Sequence, residues 1–387
     1  MINSLTARQL ITADAIIDYP TIDISSDGLI LSIKAGTPNS ETTTLASAFF
    51  DIHIHGAAGQ DSMDGTLPAF GVIGAYLATK GVAHYLATTV TAPIDTTLLA
   101  LEGIANVIET ADYPFPCAKP VGIHLEGPFI SHAKRGVHPP CEIQPPSIYL
   151  FERFQQAARG HIRLLTIAPE VPGAIDLIEY AAASGTKVSL GHSNATAAET
   201  RAAIAAGAVS ATHTFNAMRP LDPREPGIAG VVLDSQDIYA ELICDGIHIS
   251  PEFVRLWLRS KSSSRAILIT DGISATGMSD GTYLLGELEV VLANGRCLLA
   301  SNLARGTETL AGSILTMDQA VANLQRFTGA SLATAVLLAS RNPAQMLGLS
   351  QLTDIAIGRP ANFNVFSANA ELQQTILHGR LVQSTHD

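Results

Sequence analysis

Aromatic and charged residues are scarce in this chain. Phe, Trp and Tyr together make up 5% of its 387 residues, and Asp, Glu, Lys and Arg make up 15%. Hydrophobic residues reach 47%, so the apolar content is carried mainly by small and aliphatic side chains. Such a composition is typical of a protein with a large buried core and excludes a disordered chain. The length favours one large domain with a small one beside it.

Basic residues are also few. The chain has 23 Lys and Arg against 35 Asp and Glu, which gives a formal net charge of −12. This excess of acidic residues disfavours nucleic acid or an anionic membrane as a general partner. An anionic small substrate would need a local cluster of Arg, Lys or His.

Disulfide, export and membrane signals are missing from the sequence. The four cysteines stand far apart without a CxxC pair, which is typical of reduced thiols and not of a disulfide framework or a zinc knuckle. The N-terminal segment MINSLTARQLITADAII lacks a basic region followed by an apolar one, so we expect no signal peptide. No apolar stretch reaches the roughly 18–20 residues of a membrane span. We therefore expect a soluble, cytoplasmic protein.

Two β-like flanks enclose a different middle. Residues 1–48 and 353–387 contain short alternations such as TIDIS and NFNVFS, broken by Gly, Pro and Asn. We predict that both flanks together form one small, β-sandwich-like domain. Residues 49–352 are then the main domain.

The middle segment repeats one unit, a short apolar strand that ends in a polar cluster and is mostly followed by an Ala-rich helix. The predicted strands are FFDIHIH, HYLATTVTA, PVGIHLEG, IRLLTIAPE, KVSLGHS, SATHTFNA, YAELICDGIHI and AILITDG. Eight strands alternating with helices predict an α/β fold of the (β/α)8 TIM-barrel type. A doubly wound open sheet is the alternative, but no glycine-rich phosphate fingerprint follows the first strand.

Ionisable residues stand at the ends of five of these strands. His53 and His55 end the first strand and, being two residues apart, point to the same face. The others are Glu126 on the third strand, His192 on the fifth, His213 on the sixth and Asp271 on the eighth. Barrel active sites lie where the C-terminal strand ends meet. Several His with a carboxylate suit zinc or ferrous iron with a position left open for water, and manganese or cobalt to a lesser degree.

This arrangement resembles the amidohydrolase superfamily, which has HxH after strand one, His after strands five and six, and Asp after strand eight. Many members carry a carboxylated Lys at the end of strand four, whereas this chain has IAPE there and offers Glu126 on strand three. That exchange resembles the family of N-acetylglucosamine-6-phosphate deacetylases. The segments HLEGPFI, KRGVHPP, GHSNA, THTFNAMRP, REPGIAG, CDGIHIS and TLAGSILTM agree with it, between about His53 and Gly358.

The resemblance implies hydrolysis of the acetamide of N-acetyl-D-glucosamine 6-phosphate by metal-activated water. It implies one divalent ion at Glu126, His192 and His213, and room for a second at His53 and His55, so one or two ions per subunit. In this family pattern Asp271 is the general base, which later passes the proton to the departing amine. A plain metal ligand or a helix N-cap is the alternative for this carboxylate.

Substrate contacts follow from the same resemblance. His138 would donate to the developing oxyanion, and a solvent-exposed loop histidine is the alternative. Arg224 and His248 would bind the phosphate, with the arginine reaching across the interface of a homodimer. The remaining predicted substrate contacts are Val137, Asn216, Ala217, Leu310, Ala311 and Gly312.

Three other functions compete with this one. A cyclic-amide hydrolase of the same superfamily would be expected to show the missing Lys. N-acetylgalactosamine 6-phosphate differs from the gluco substrate in one hydroxyl orientation, and the motifs do not decide between the two epimers. A catalytically inactive barrel that serves as a scaffold or sensor would be expected to have lost a ligand or the base. This chain retains Glu126, His192, His213 and Asp271.

Overall fold

The N-terminal flank consists of short strands. The computed structural model describes residues 1–113 and 115–383. The first strands are β1 (Ser4–Thr6), β2 (Gln9–Ile11), β3 (Ile16–Asp18), β4 (Pro20–Ile24), β5 (Ile30–Ala35) and β6 (Thr44–Ser47). β1, β4 and β5 form an antiparallel sheet. Alternate residues of β4 are buried, because one face of this sheet covers a core and the other faces outward.

A parallel eight-stranded barrel forms the centre of the protein. The strands of this region are β7 (Phe49–Ile54), β8 (Gly56–Ala57), β9 (Gln60–Asp61), β10 (Val82–Thr89), β11 (Lys119–Glu126), β12 (Ile162–Ile167), β13 (Lys187–Leu190), β14 (Ala208–Ala211), β15 (Tyr239–Ile243) and β16 (Ala266–Ile269). β8 and β9 form a small hairpin, and the other eight follow one another in chain order in a single sheet. The predicted TIM barrel is confirmed.

The barrel closes between its last strand and its first. The Asp271 amide donates to the His53 carbonyl at 2.9 Å, and the His55 amide donates to the Gly272 carbonyl at 2.8 Å. All six residues of β7 are buried, as expected for a parallel strand covered on both faces. Closure therefore brings the ends of the first and eighth strands side by side.

Helices surround the barrel. They are α1 (Leu67–Thr79), α2 (Ile94–Thr110), α3 (Ile148–Ala157), α4 (Ala174–Ala183), α5 (Ala197–Ala205), α6 (Gly227–Asp234), α7 (Pro251–Ser260), α8 (Ala300–Leu303), α9 (Met317–Thr328), α10 (Leu332–Ala339) and α11 (Arg341–Met346), with 3-10 turns at Ser62–Asp64, His132–Lys134 and Ser350–Leu352. α4 and α5 end shortly before Gly185 and Gly207, whose positive φ values of 92° and 116° reverse the chain. No helix among residues 1–113 and 115–383 is both long and apolar enough to span a membrane.

A small antiparallel sheet follows the eighth barrel strand and was not predicted. It comprises β17 (Gly281–Leu285), β18 (Leu288–Ala293) and β19 (Arg296–Leu299). Its buried side chains pack in one cluster with Val137, Ile273 and Ala311. The sequence reading missed it because its strands carry no ionisable strand-end residue of the kind that marks the barrel strands.

The C-terminal flank forms one sheet with the N-terminal flank. β20 (Phe363–Phe366), β21 (Leu372–Leu377) and β22 (Arg380–Leu381) join β6, β2 and β3 in a six-stranded sheet. β20 pairs antiparallel with β6, so strands from both ends of the chain share one sheet, as predicted. A core that includes Leu10, Leu45 and Phe363 forms apart from the barrel core. The domain boundaries at 48/49 and 352/353 remain predictions, and residues 384–387 lie outside the described residues.

Candidate metal centre and active site

The barrel mouth carries the predicted ionisable residues. His53 belongs to β7, His55 directly follows it, and Glu126 is the last residue of β11. His192, His213 and Asp271 each stand two residues beyond the end of a strand, with φ values of 47°, 30° and 51°. This left-handed backbone costs about 1–3 kcal/mol per residue and is found mainly where function requires it. All six residues are buried.

Two clusters of ligand atoms result. In the first cluster, Glu126, His192 and His213, the Glu126 Oε1 atom lies 3.3 Å from His192 Nε2 and 3.2 Å from His213 Nε2. In the second cluster, His53, His55 and Asp271, both imidazole Nε2 atoms lie 3.3 Å from Asp271 Oδ1.

Glu126 lies between the two clusters. Its Oε1 atom is 3.4 Å from His53 Nε2, and its Oε2 atom is 3.1 Å from His55 Nε2. One carboxylate therefore faces the imidazoles of both clusters, a position from which it could serve two neighbouring ions.

The donor set fits divalent metal ions. His192 Nε2 and His213 Nε2 lie 3.1 Å apart and point at the same space. His53 Nε2 is near two carboxylates, yet it finds no hydrogen-bond partner among the described residues. Nitrogen and oxygen atoms at about 2.0–2.2 Å from zinc stand about 3.3–3.6 Å from one another in a tetrahedral site. The spacings of 3.1–3.4 Å between the ligand atoms are close to this arrangement.

The electrostatics of the site also favour a cation. Burial raises the pKa of Asp271, but the charge of His53 and the hydrogen bond from His55 outweigh it and lower the pKa to about 2. Burial likewise opposes the ionisation of Glu126, but His53, His192 and His213 hold its pKa well below the usual range. Both carboxylates are thus ionised at neutral pH, and against the effect of burial they raise the pKa of His53, His213 and His55, the last to about 9. A bound divalent cation would take the place of the protons on these imidazoles and balance the buried negative charge.

The segments after β10 and β11 orient two of the histidines. His192 Nδ1 donates to the Lys134 carbonyl at 3.0 Å, which leaves its Nε2 lone pair directed at Glu126. His138 Nδ1 accepts from the Thr91 amide at 3.3 Å and lies 2.7 Å from the Thr91 hydroxyl, so its proton sits on Nε2. That Nε2 atom is 4.0 Å from Glu126 Oε2.

His138 is not an exposed loop residue. It is 2% exposed, and burial together with the neighbouring His192 holds its pKa well below the ordinary value. A neutral imidazole with its N–H directed into the site is a hydrogen-bond donor that carries no charge of its own.

A cleft of about 220 Å³ opens above the clusters. Its lining includes the predicted substrate contacts Val137, Asn216, Ala217, His248, Leu310 and Gly312, as well as His138 and Asp271. Ala311 is fully buried behind the wall, in the cluster with the β17–β19 sheet. Arg224 is exposed on the loop before α6 and does not line the cleft of its own chain.

Several residues around the site were missed from the sequence. Val90 and Leu285 line the cleft without belonging to any motif, and Thr309 lines it as the first residue of TLAGSILTM, although it was not predicted as a site residue. Glu170 follows the fourth barrel strand, at whose end many amidohydrolases carry a carboxylated Lys. Its carboxylate turns away from the clusters. It accepts from the Ser193 hydroxyl and the Asn194 amide, at 2.6 Å each, and so holds the segment after His192. Its place after strand four was the only sequence signal for it.

Comparisons with known proteins agree with this geometry. Residues 44–382 match the amidohydrolase family. The N-acetylgalactosamine-6-phosphate deacetylase of Escherichia coli O157:H7 is 34% identical over 385 residues, which cover 98% of this chain and 99% of that protein. The N-acetylglucosamine-6-phosphate deacetylase of Bacillus subtilis is 32% identical over 382 residues, with coverage of 96% and 95%.

A solved structure shares the whole fold. The N-acetyl-D-glucosamine-6-phosphate deacetylase of Mycobacterium smegmatis, as a variant in complex with N-acetyl-D-glucosamine-6-phosphate, superposes with a TM-score of 0.92 at 33% identity. The match covers 99% of this chain and 100% of that one. Sequence motifs, barrel and strand-end residues thus lead to one conclusion: the chain belongs to the amidohydrolase family.

Proposed function

We propose that this protein hydrolyses the acetamide of N-acetyl-D-glucosamine 6-phosphate to D-glucosamine 6-phosphate and acetate. The observation that carries the proposal is the convergence of Glu126, His192, His213 and Asp271 on the floor of one cleft. The close relationship to deacetylases of N-acetylated amino-sugar phosphates supplies the substrate class.

One or two divalent ions per subunit would occupy the floor. The first cluster, Glu126, His192 and His213, holds one ion, and the second cluster, His53, His55 and Asp271, has room for another. Zinc or ferrous iron suits these ligands best, and manganese or cobalt is also compatible. The bound ion supplies Lewis-acid activation of water and of the amide carbonyl.

Asp271 is the proposed general base. Its carboxylate is ionised at neutral pH and reaches the floor of the cleft, so it can accept the proton of the attacking water. The same proton then passes from Asp271 to the nitrogen of the departing amino sugar. Without that transfer the amine would have to leave as an unstable anion.

His138 is the proposed oxyanion donor. Because Thr91 occupies Nδ1, the Nε2–H group of His138 is the one that faces the reacting carbonyl. A donor already in place where negative charge develops stabilises the transition state more than the ground state.

His248 is the proposed phosphate ligand within the chain. Its Nδ1 atom lies 2.6 Å from Asp245 Oδ2, so its other ring nitrogen is free toward the cleft. The ring is held by the same carboxylate that accepts from the Ile247 and His248 amides. Asn216, Ala217, Val137 and the segment 310–312 would hold the sugar.

Arg224 is proposed to complete the phosphate site of a partner subunit in a homodimer. Its exposed position outside the cleft of its own chain is what such a role requires. Mixing the inactive Asp271→Asn variant with Arg224→Ala tests this, because a mixed dimer would combine an intact catalytic floor with an intact arginine. Activity above that of either variant supports the shared site, and no gain contradicts it.

The galacto epimer is the second candidate substrate, since one of the relatives acts on N-acetylgalactosamine 6-phosphate. We favour the gluco substrate as the more widespread activity. The four free cysteines suit a reducing compartment, so we place the reaction in the cytoplasm.

The deciding experiment measures acetate release from both epimers side by side, with metal quantified on the same sample. Faster turnover of the gluco epimer supports the proposal. Faster turnover of the galacto epimer would change the assigned substrate but leave the proposed deacetylation unchanged. Absence of turnover of both by metal-loaded protein would contradict the proposal and favour the inactive barrel.

A further inference from the structure

A further buried carboxylate lies beneath the site and has no part in the chemistry described so far. Glu241, in the middle of β15, is fully buried and faces the barrel interior. Within residues 1–113 and 115–383 it pairs with no Lys or Arg, and His53 is the one titratable partner. A buried carboxylate is costly unless donors surround it, so its contacts are informative.

Four donors surround Glu241. Its Oε2 atom lies 3.5 Å from His53 Nδ1 and 3.4 Å from the His213 amide. Its Oε1 atom lies 3.5 Å from the Ser189 hydroxyl and 3.4 Å from the Ser210 hydroxyl. Glu241 is thereby linked to three other parts of the barrel: β7, and the ends of β13 and β14.

A chain of hydroxyl groups across the barrel interior ends at this carboxylate. His124 Nε2 lies 2.7 Å from Thr166 Oγ1, which lies 2.8 Å from Thr212 Oγ1, which in turn donates to Ser189 Oγ at 2.7 Å. Ser189 then donates to Glu241. An ionised carboxylate can only accept hydrogen bonds, so the Ser189 hydroxyl donates to Glu241 and not the reverse. The hydroxyl chain occupies Oε1 and leaves Oε2 for the His53 ring and the His213 amide.

The consequence for His53 is a fixed tautomer. In the neutral, metal-binding form of His53 the carboxylate takes the Nδ1–H group. The Nε2 lone pair then points to the space between Glu126 and Asp271, at 3.4 Å and 3.3 Å from their oxygens. A carboxylate behind a metal-binding histidine orients the ring and raises its basicity. His55 differs, because its Nδ1 atom has no partner among the described residues. His53 is therefore the anchored member of the second cluster.

We propose that Glu241 is a positioning residue which, by fixing the ring and tautomer of His53, enables the second cluster to bind its own divalent ion. The inference rests on the proposed function in so far as that function places an ion in each cluster. Glu241 touches neither substrate nor ion. It contacts the ring of His53 but only the backbone amide of His213, so it orients the imidazole of His53 and not that of His213.

The test is the metal affinity of Glu241→Gln. Glutamine keeps the volume but loses the charge and one acceptor, so the affinity of the second cluster should fall about 10- to 100-fold. The first cluster should keep its ion, because its ligand His192 is oriented separately by the Lys134 carbonyl. The measurement equilibrates the holoenzyme over a series of buffered zinc concentrations and determines zinc per subunit. The absorption spectrum of the cobalt-loaded protein reports the ligands independently.

Three further comparisons test whether the effect of Glu241→Gln is specific to His53. Glu241→Asp keeps the charge but is one methylene short of His53, so it should weaken the same ion if the glutamine variant does not fold. Ser189→Ala is the matched control: it removes a donor to Oε1 but leaves the His53 contact, and it should retain both ions. In a His53→Gln background, Glu241→Gln should not change zinc binding further, whereas a general structural role would weaken the remaining site as well.

The outcomes separate this inference from the proposed function. Loss of the second ion in both Glu241 variants, with the first retained, supports it. Two ions at wild-type affinity in either folded variant overturn it and leave the proposed function intact. A wild-type protein that binds only one ion overturns the two-ion arrangement and this inference with it, while acetate release would still stand.

Discussion

The floor and the rim of the cleft are built differently. The floor consists of buried residues at or just beyond the barrel strands, held by strand pairing and by one another. The rim contains loop-borne residues such as Val137 and part of the β17–β19 sheet, and Arg224 of a partner subunit is proposed to complete it. The floor is therefore complete within one chain, and the rim is where substrate and partner would make their contacts. We expect floor substitutions to remove metal or turnover, and rim substitutions to change substrate affinity.

Glu126→Ala should have the largest effect. Its carboxylate faces both clusters, so its removal leaves four histidine ligands without their common partner. We expect loss of detectable turnover together with loss of bound metal. Elemental analysis and an acetate assay measure the two quantities. Retention of two ions by the variant would contradict the central position of Glu126 on the floor.

Asp271→Asn should also lower turnover strongly, because it removes the general base. The ligands Glu126, His192 and His213 remain, so the metal content of the first cluster should stay near normal, while kcat falls about 10²- to 10⁴-fold. The amide is similar in size and cannot accept the proton of water. Wild-type kcat in this variant would remove the assigned role from Asp271.

His138 lies between floor and rim, so His138→Ala should have an intermediate effect. Loss of one oxyanion donor costs about 10²- to 10³-fold in kcat. KM and metal content should change little, since the side chain belongs to neither cluster. Thr91→Val is the control: it removes the hydroxyl contact to Nδ1 but keeps the amide contact, so its effect should be smaller. Equal effects of both variants would indicate a packing defect instead.

Arg224→Ala should have the smallest effect on chemistry. The loss of a charge-assisted contact worth about 1.5–3 kcal/mol should raise KM for the phosphorylated substrate about 10- to 150-fold. The unphosphorylated sugar should be affected far less, and kcat should change least. Steady-state kinetics on both sugars measure the difference. An equal rise in KM for both sugars would show that Arg224 does not bind the phosphate. It would also weaken the distinction between floor and rim.

Much of the fold could be predicted from the sequence, because the required signals are local. Each barrel strand is a short apolar run, and Gly185 and Gly207 mark the chain reversal after their helices. The β17–β19 sheet was missed, since its strands carry no ionisable strand-end residue and lie where an eighth βα unit was expected. The alternation in the two flanks predicted strands but not their order in the six-stranded sheet.

The sequence by itself determined which residues stand at the strand ends, since strand periodicity and the position of a polar residue after an apolar run are properties of the chain alone. Tertiary structure alone decided that Glu126 lies between two clusters, that Thr91 contacts the ring of His138, and that Glu241 lies beside His53. These contacts join residues that are distant in the chain. They exist only because eight strands close into a ring whose ends meet at one mouth.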